Sequence, residues 1–475
     1  MMMNCRSTKE ALMIEYSPDQ QSAMRALKSG QNVFLTGKAG TGKTTILNRF
    51  IEWAIENKKN MIVCASTGAA AQRITATKAC TIHRAFGLKK EPIVPPPKKA
   101  KKEIAAADII IVDEISMCRI DLFEHIAYAI QFANRENESR EMRLAKKEKR
   151  EPVIKTIQLI VTGDFSQLEP VLTSKDREIF RTRYKTKLFA FESRMWKEMN
   201  FANIELTTVH RTIEDAEYTD ALNEIRDGSD PFGCVDWFNF NTADDPFTGP
   251  DSIILCGKNA TATEKNAARL NQLNGEEFQS MAEITGDADM ASTNAEYDLR
   301  FKIGAKVMML TNGPGYFNGS FGTIERFYPN DDDEFDAGPR VVIRLDDSGD
   351  TAYVEKYKWD VVQPVVKTKK IRYKEVDPDT GVEIEKIREE EVIETETVGS
   401  VEQFPFKLAW AITIHKSQGM TLKCGVNLYP EFFANGQLYV ALSRVDRRDH
   451  IYINGLLDYK DLRTSAKVRK FYGGI

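Results

Sequence analysis

The stretch Phe34-Leu35-Thr36-Gly37-Lys38-Ala39-Gly40-Thr41-Gly42-Lys43-Thr44-Thr45 restricts this chain more than any other, because such a loop works only between a strand and a helix. It matches G-x-x-x-x-G-K-[ST]. Apolar Val33-Phe34-Leu35 before it reads as a buried strand, and Ile46, Leu47, Phe50, Ile51 and Ala54 recur after it at helical spacing. Gly37, Gly40 and Gly42 let the backbone fold into a concave row of N–H donors, and the helix start adds partial positive charge. Lys43 reaches for β- and γ-phosphates, and Thr44 is the candidate Mg²⁺ ligand. The nucleotide-binding set is therefore Gly37, Ala39, Gly40, Thr41, Gly42, Lys43, Thr44 and Thr45. A plain glycine-rich turn would not need the Gly-Lys-Thr or both flanks.

One phosphate-binding unit cannot account for 475 residues; at roughly 150 residues per domain the chain has room for about three. The net charge of −4 provides no global basic field, so any nucleic-acid surface is a local groove. Cys5, Cys64, Cys80, Cys118, Cys234, Cys256 and Cys424 are scattered without a Cys-x-x-Cys pair, which argues against a disulfide framework or a structural zinc. The expected setting is a reducing compartment: cytoplasm for a bacterial or phage-like source, nucleus or mitochondrion for a eukaryotic one. No apolar run approaches the ~18 residues of a membrane span, and the N-terminus lacks the order of a signal peptide, so a soluble protein with no membrane partner is expected.

Upstream of the loop, Tyr16-Ser17-Pro18-Asp19-Gln20 reads as a capped helix start, with Ser17 as N-cap and Pro18 in the first turn. A glutamine there can also read an adenine edge through its amide. Downstream, Met61-Ile62-Val63-Cys64-Ala65 is a buried strand opening through Ser66-Thr67-Gly68 into a small-residue helix whose N-terminus can hold a phosphate. Thr81-Ile82-His83-Arg84-Ala85-Phe86 puts an imidazole, a guanidinium and a ring together, a mixture suited to phosphate contact and base stacking. Pro95 to Lys102 reads as a stiff basic loop. Asp108-Ile109-Ile110-Ile111-Val112-Asp113-Glu114 is a second strand ending in acids, a Walker B element: Asp113 for Mg²⁺ through water, Glu114 as base for the attacking water. Asp121 to Phe132 is an amphipathic helix, and the charge-mixed run 134–151 is a solvated helical face. The strand 157–162 leads to Gly163-Asp164-Phe165-Ser166-Gln167, where Gln167 is placed to sense a γ-phosphate.

Alternating strands and helices to about residue 205 describe one doubly wound parallel sheet. New strands then begin with Glu205-Leu206 and Ile253 to Cys256. Between about 304 and 400 the texture changes. Short strands at 307–310, 322–327, 341–345 and 351–354 predict a small antiparallel barrel, and Lys370 to Glu396 a charged hairpin turning at Asp377 to Gly381.

With these residues assembled, the chain resembles the PIF (petite integration frequency) DNA helicases of superfamily 1, beside RecD and Dda. The similarity covers most of the chain: Gly37 to Thr45, Ala65 to Ala70, Thr81-Ile82-His83, Asp113 to Met117, Gly163 to Leu168, Gly304 to Leu310, Asn318 to Thr323, Leu408 to Thr421, and Gly436 to Arg444. It departs at Glu169, where the family usually has proline, and in the long charged run 134–151.

The resemblance implies two RecA-like α/β domains, 1–205 and 206–303 plus 401–475, with a small wedge insertion at about 87–104. Residues 304–400 would form an inserted SH3-like β-barrel with a charged hairpin. It implies ATP and Mg²⁺ as cofactors, Gln20 as adenine reader, Lys43 and Glu114 as catalytic groups, and Gln167 as the link between nucleotide and DNA. Arg211 and Arg444 would be arginine fingers, and Thr67, Gly68, His83, Phe86, His415 and Lys416 contacts to single-stranded DNA. It also implies 5′→3′ movement and unwinding of forked duplex by a monomer. A single-strand-stimulated NTPase that remodels complexes without processive unwinding, and an RNA helicase, are the other readings of the same residues. A small-molecule kinase has no use for the second sheet, the distant arginines or the barrel.

Overall fold

Strands with no polar alternation must be covered on both faces, which favours a parallel sheet flanked by helices. The structure is a computed structural model that describes residues 16–88, 94, 97, 101–172, 174–210, 215–290, 293–329, 338–346, 348–376 and 383–473. In it β1 (Val33–Gly37), β2 (Met61–Ala65), β3 (Cys80–Thr81), β4 (Ile109–Asp113), β5 (Gln158–Thr162) and β6 (Ala202–Leu206) form one parallel sheet, ordered β3-β2-β4-β5-β1-β6. Successive side chains go to opposite faces: Val33, Leu35, Ile109 and Ile111 join the core under helix Lys43–Glu56. Phe34, Ile110 and Val112 join the core under helix Ile120–Glu148. The order sets β4, β5 and β1 side by side, so the loops leaving their carboxyl ends open into one crevice.

A second parallel sheet runs Ala411–Thr413, Ile253–Cys256, Val426–Tyr429, Ile451–Ile453. The sequence reading began this unit with Glu205-Leu206. Instead Ala202–Leu206 is β6, paired with β1 from Val33↔Ala202 to Gly37↔Leu206. Its alternating burial identifies a strand but carries no information about which sheet it joins.

The expected short strands form a five-stranded antiparallel sheet, Thr351–Glu355, Arg340–Leu345, Phe321–Tyr328, Lys306–Met309, Phe406–Leu408, around Phe301, Val307, Ile324, Ile343, Phe404 and Phe406. This region is wider than 304–400: the pair Phe278–Met281 and Asp298–Phe301 precedes it, and Phe406–Leu408 closes it. The charged hairpin begins earlier than Lys370, since Tyr357–Val376 pairs with Glu383–Gln403 along its length. Its turn, most of the basic loop at 95–102 and part of the wedge insertion lie outside the described residues. The amphipathic stretch and the charged run after it are one 29-residue helix, Ile120–Glu148. Among the described residues no helix is long and apolar enough to cross a membrane.

The end of the chain departs from the expected division. Helix Ala466–Phe471 leaves the second sheet, and Val468 enters the first sheet's core with Phe471 packed against it. The Phe471 ring stacks on Phe191 at 4.3 Å, and the Tyr472 hydroxyl accepts the Phe165 N–H at 3.1 Å and bonds Thr36 Oγ1 at 3.0 Å.

Between the two sheets lies a buried ionic knot. Arg226, from helix Ala216–Asp227, donates through Nε (3.1 Å) and Nη2 (3.2 Å) to the two carboxylate oxygens of Asp164, after β5. The Tyr439 hydroxyl reaches the same carboxylate at 3.4 Å and accepts the Ala39 N–H at 2.8 Å. The Arg226 guanidinium also lies 5.1 Å over the Tyr472 ring. Removing one partner of a buried pair leaves the other charge uncompensated, so Arg226→Ala should lower unfolding free energy by about 3–5 kcal/mol. Urea denaturation of Arg226→Ala, Asp164→Ala and the double variant checks this, with the double expected to cost less than the sum of the singles.

Candidate active site in the cleft between the sheets

After β1 the chain turns through Gly40 (φ 80°) and Gly42 (φ 81°), left-handed positions that suit glycine, and Gly42 caps helix Lys43–Glu56. Lys43 donates from Nζ to the carbonyls of Gly37 (2.7 Å) and Lys38 (2.9 Å), and Thr41 Oγ1 donates to Lys38 O at 3.0 Å. Burial pushes the Lys43 ammonium below the usual lysine range, against the pull of the Asp164 and Glu114 carboxylates.

Asp113, at the end of β4, is buried. Its Oδ1 accepts from Thr162 Oγ1 and from the Glu114 N–H (2.9 Å), while Oδ2 is buried with no partner. An orphaned carboxylate oxygen beside a phosphate loop is the donor a hard cation would use. For Asp113, burial raises the carboxyl pKa, and the neighbouring Glu114 charge adds to it. Glu114 adopts φ 52°, a left-handed conformation that costs energy for a residue with a side chain. That backbone is held by Ser66 Oγ, which donates to Glu114 O at 2.7 Å, and the carboxylate by Arg73 Nη2 at 2.8 Å. Burial raises the Glu114 pKa, but Arg73, with Lys43 and Arg444 behind it, outweighs burial and keeps the group in its basic form.

The opposite wall comes from the second sheet. Arg444 is fully buried and tied to its own unit: Nε to Val440 O (2.7 Å), Nη1 to Ser417 O (3.2 Å) and Met420 O (3.1 Å), Nη2 to Ser443 Oγ (2.6 Å). Gln418 Nε2 donates to Gln167 Oε1 at 3.5 Å, joining the two walls. Gly436 backs onto the carbonyls of Ser166 and Gln167, where a Cβ would collide. Glu169, the departure noted in the sequence, accepts from Asn435 Nδ2 at 3.1 Å and adds another link. The cavity between the walls is about 500 Å³, a size suited to a nucleotide. Ala39 to Thr45, Arg73, Glu114, Gln167 and His210 line one side, and Gly419, Thr421, Arg444 and Asp446 the other.

The expected residues fall into groups. Ala39, Gly40, Thr41, Gly42, Lys43, Thr44, Thr45, Glu114, Gln167 and Arg444 converge on this cavity, with Gly37 and Asp113 directly behind. Gln20 sits against Gly42, with its amide oxygen accepting from Ser17 N (3.3 Å) and its nitrogen 3.0 Å from His210 Nε2. Its helix is capped as expected, with Ser17 as N-cap and Pro18 in the first turn. Asp19 ties that helix to the other side of the loop, accepting from the N–H groups of Thr207 (2.8 Å) and Thr208 (3.0 Å). The His210 N–H then donates to Gly40 O at 2.9 Å. Arg211 lies outside the described residues.

Of the expected DNA contacts, Thr67 and Gly68 follow β2, His83 follows β3, and His415 and Lys416 follow Ala411–Thr413, all at carboxyl ends of parallel strands. Thr67 Oγ1 accepts from Ala70 N at 3.1 Å, and His415 stacks 5.8 Å from the Phe433 ring. Phe86 is a correction: its ring is buried in the first sheet's core, edge-on to His125 at 6.2 Å, and cannot stack on a base. A ring in an amphipathic turn reads the same in sequence whichever side it faces. Sequence reading also passed over Arg73, Arg226, Tyr439 and Lys407. Burial, then the neighbouring Lys416 charge, pushes Lys407 down to about 7, so a lysine of the antiparallel sheet lies beside one of the second unit. Nothing local marks Arg73 or Arg226, since each acquires its meaning from a partner distant in sequence, Glu114 and Asp164.

A phosphate loop on one parallel sheet, facing an arginine carried by a second parallel sheet across a nucleotide-sized cleft, defines a two-sheet P-loop NTPase. The profile of the PIF1-like helicase family matches residues 15–232. The "ATP-dependent DNA helicase Pif1" of a Psychrobacter species is 30% identical over 479 residues, covering 92% of this chain and 68% of that one. Its namesake in Campylobacter jejuni is 28% identical, covering 87% and 86%. The crystal structure of a Bacteroides Pif1 helicase with ADP-AlF3 and single-stranded DNA superposes with a TM-score of 0.72 at 28% identity, covering 97% of each chain. This chain belongs to the PIF1-like helicase family.

Glu114 lines the cavity beside the phosphate loop, with its carboxylate held by Arg73. Glu114→Gln should lower ATP turnover by about 10²–10⁴-fold, the usual worth of a positioned base, with ADP affinity little changed. Steady-state ATPase rates and fluorescent-ADP titration check this.

Proposed function

We propose that this ATP-dependent DNA helicase moves 5′→3′ along single-stranded DNA and separates forked duplex by closing and reopening the cleft between two RecA-like domains. The observation that carries the reading is the division of one site between two sheets: Lys43, Thr44, Asp113 and Glu114 on one wall, Arg444 on the other. Hydrolysis-competent geometry then exists only when the walls meet, which converts each ATP into one domain movement. Strand-contacting groups at both sheets, Thr67, Gly68 and His83 on one and His415 and Lys416 on the other, turn that movement into a step. DNA as substrate follows from relatives named as DNA helicases and from a relative seen with single-stranded DNA.

In the cycle, the loop amides and Lys43 bind the phosphates, Glu114 orients the water and accepts its proton, and Arg444 stabilises charge on the transferring group. Arg211 is assigned as a second finger on the family resemblance. Mg²⁺ fits the buried unpaired Asp113 Oδ2 and the Thr44 hydroxyl; when bound it would neutralise phosphate charge. Gln167, bonded to Gln418 across the cleft, links nucleotide state to the strand-contacting loop. The domain division is a first unit through Leu206, then a second of 207–277 with 409–475, with an SH3-like barrel and hairpin at 278–408 inserted in the second and the C-terminal helix strapped back over the first. The chain works as a monomer.

ATPase with and without single-stranded DNA, with Lys43→Ala as control, tests the coupling. Arg444→Ala should reduce turnover by about 10³–10⁵-fold while retaining ATP binding; near-normal hydrolysis would sink the split site. Duplexes carrying only a 5′ tail should be unwound and those carrying only a 3′ tail should not. The reverse result overturns the polarity.

A further inference from the structure

Ser66 to Arg73 forms a bracket around the base. At one end Ser66 Oγ holds the Glu114 carbonyl (2.7 Å), and at the other Arg73 Nη2 holds the Glu114 carboxylate (2.8 Å). Between them stands helix Gly68–Gln72, whose N-cap Thr67 is one of the expected strand contacts. The Arg73 guanidinium also presses on Gly419 of the second sheet so closely that a methyl group at 419 would collide with it. Gly419 directly follows Gln418, the residue bonded to Gln167. Arg73 lines the nucleotide cavity, and its Nε is buried without an acceptor.

We propose that Arg73 is the positioning residue through which single-stranded DNA and cleft closure set the catalytic carboxylate. Its side chain touches Glu114, the tail of a DNA-facing helix, and the opposite wall at once, so displacement of either moves the carboxylate. The strained φ of Glu114 supports this role, because a residue held in an unfavourable conformation shifts when its restraints change. Arg73 is the charged side chain of the first sheet that both pairs with Glu114 and lies against the second sheet's loop. The inference rests on the helicase reading above.

The test uses the full chain as wild type, Arg73→Gln and Arg73→Lys, with oligothymidylate as activator. Steady-state ATPase is measured with and without it, alongside ATP KM and oligothymidylate affinity by anisotropy. Arg73→Gln should lower stimulated kcat by about 10–100-fold, the cost of an ångström-scale misplacement of a reacting group, and bring the stimulation ratio towards one. ATP KM and DNA affinity should stay near wild type, and Arg73→Lys should recover part of the stimulation.

Wild-type stimulation in Arg73→Gln overturns the proposal. So does a loss spread equally over kcat, KM and DNA affinity, which marks a structural residue; circular dichroism and Arg73→Lys separate misfolding from that outcome. A wild type that oligothymidylate fails to stimulate sinks the function proposed above instead. Unstimulated kcat then still decides Arg73, because an unchanged value in Arg73→Gln overturns its role in placing Glu114.

Discussion

The Arg226–Asp164 pair is the interaction that the rest of the molecule leans on. Two charges withdrawn from water are tolerated only when their hydrogen-bonding capacity is met, and here it is: the carboxylate takes both guanidinium arms and the Tyr439 hydroxyl. Asp164 belongs to the loop that carries Gln167, and Tyr439 to the helix that leads to Arg444. One buried knot thus joins the elements that carry the two walls of the nucleotide cavity. The Tyr439 hydroxyl extends it to the phosphate loop through the Ala39 N–H, and Tyr472 extends it to β1 through Thr36.

The two walls are prepared differently. Arg444 is anchored in its own unit by carbonyls at 417, 420 and 440 and a hydroxyl at 443, so its guanidinium is placed before any nucleotide arrives. Such preorganisation is what makes a charge effective in a transition state, since nothing need be reordered at the moment of reaction. Glu114 is held by Ser66 and Arg73, and of these Arg73 also lies against Gly419 of the second sheet. On the positioning role proposed for Arg73, the arginine wall is the firmly anchored one and the base wall the adjustable one.

Much of this was legible in the sequence wherever function depends on neighbours along the chain. The phosphate loop, the acids ending β4 and the capped helix at Pro18 each follow from a few consecutive residues, and the structure places them as read. The short strands of the antiparallel sheet were legible too, because turn residues bound them. What escaped was pairing over distance. Asp164 and Arg226 are 62 residues apart and Ala39 and Tyr439 are 400, and no local signature tells either member of a pair which partner it takes. Glu205-Leu206, expected to open the second unit, instead ends β6 of the first sheet, since alternation encodes burial and not partners. Phe86 was misjudged because a ring has the same local signature whether it faces a core or a nucleic acid.

The electrostatics of the open cleft say why a nucleotide should change it. Asp164 is taken up by Arg226, so Lys43, Arg73 and Arg444 are left beside Glu114 and Asp113. Lys43 spends two donors on the carbonyls of its own loop, and its burial disfavours the charged form. A triphosphate adds several negative charges at the loop amides, so the lowest-energy response is for Lys43 to exchange those carbonyls for phosphate oxygens. Arg444 is drawn to the same charge but is anchored to the second sheet, so it can approach only by bringing that sheet with it. The attraction of a fixed cation for a bound polyanion is then a closing force on the cleft, and loss of the terminal phosphate removes it.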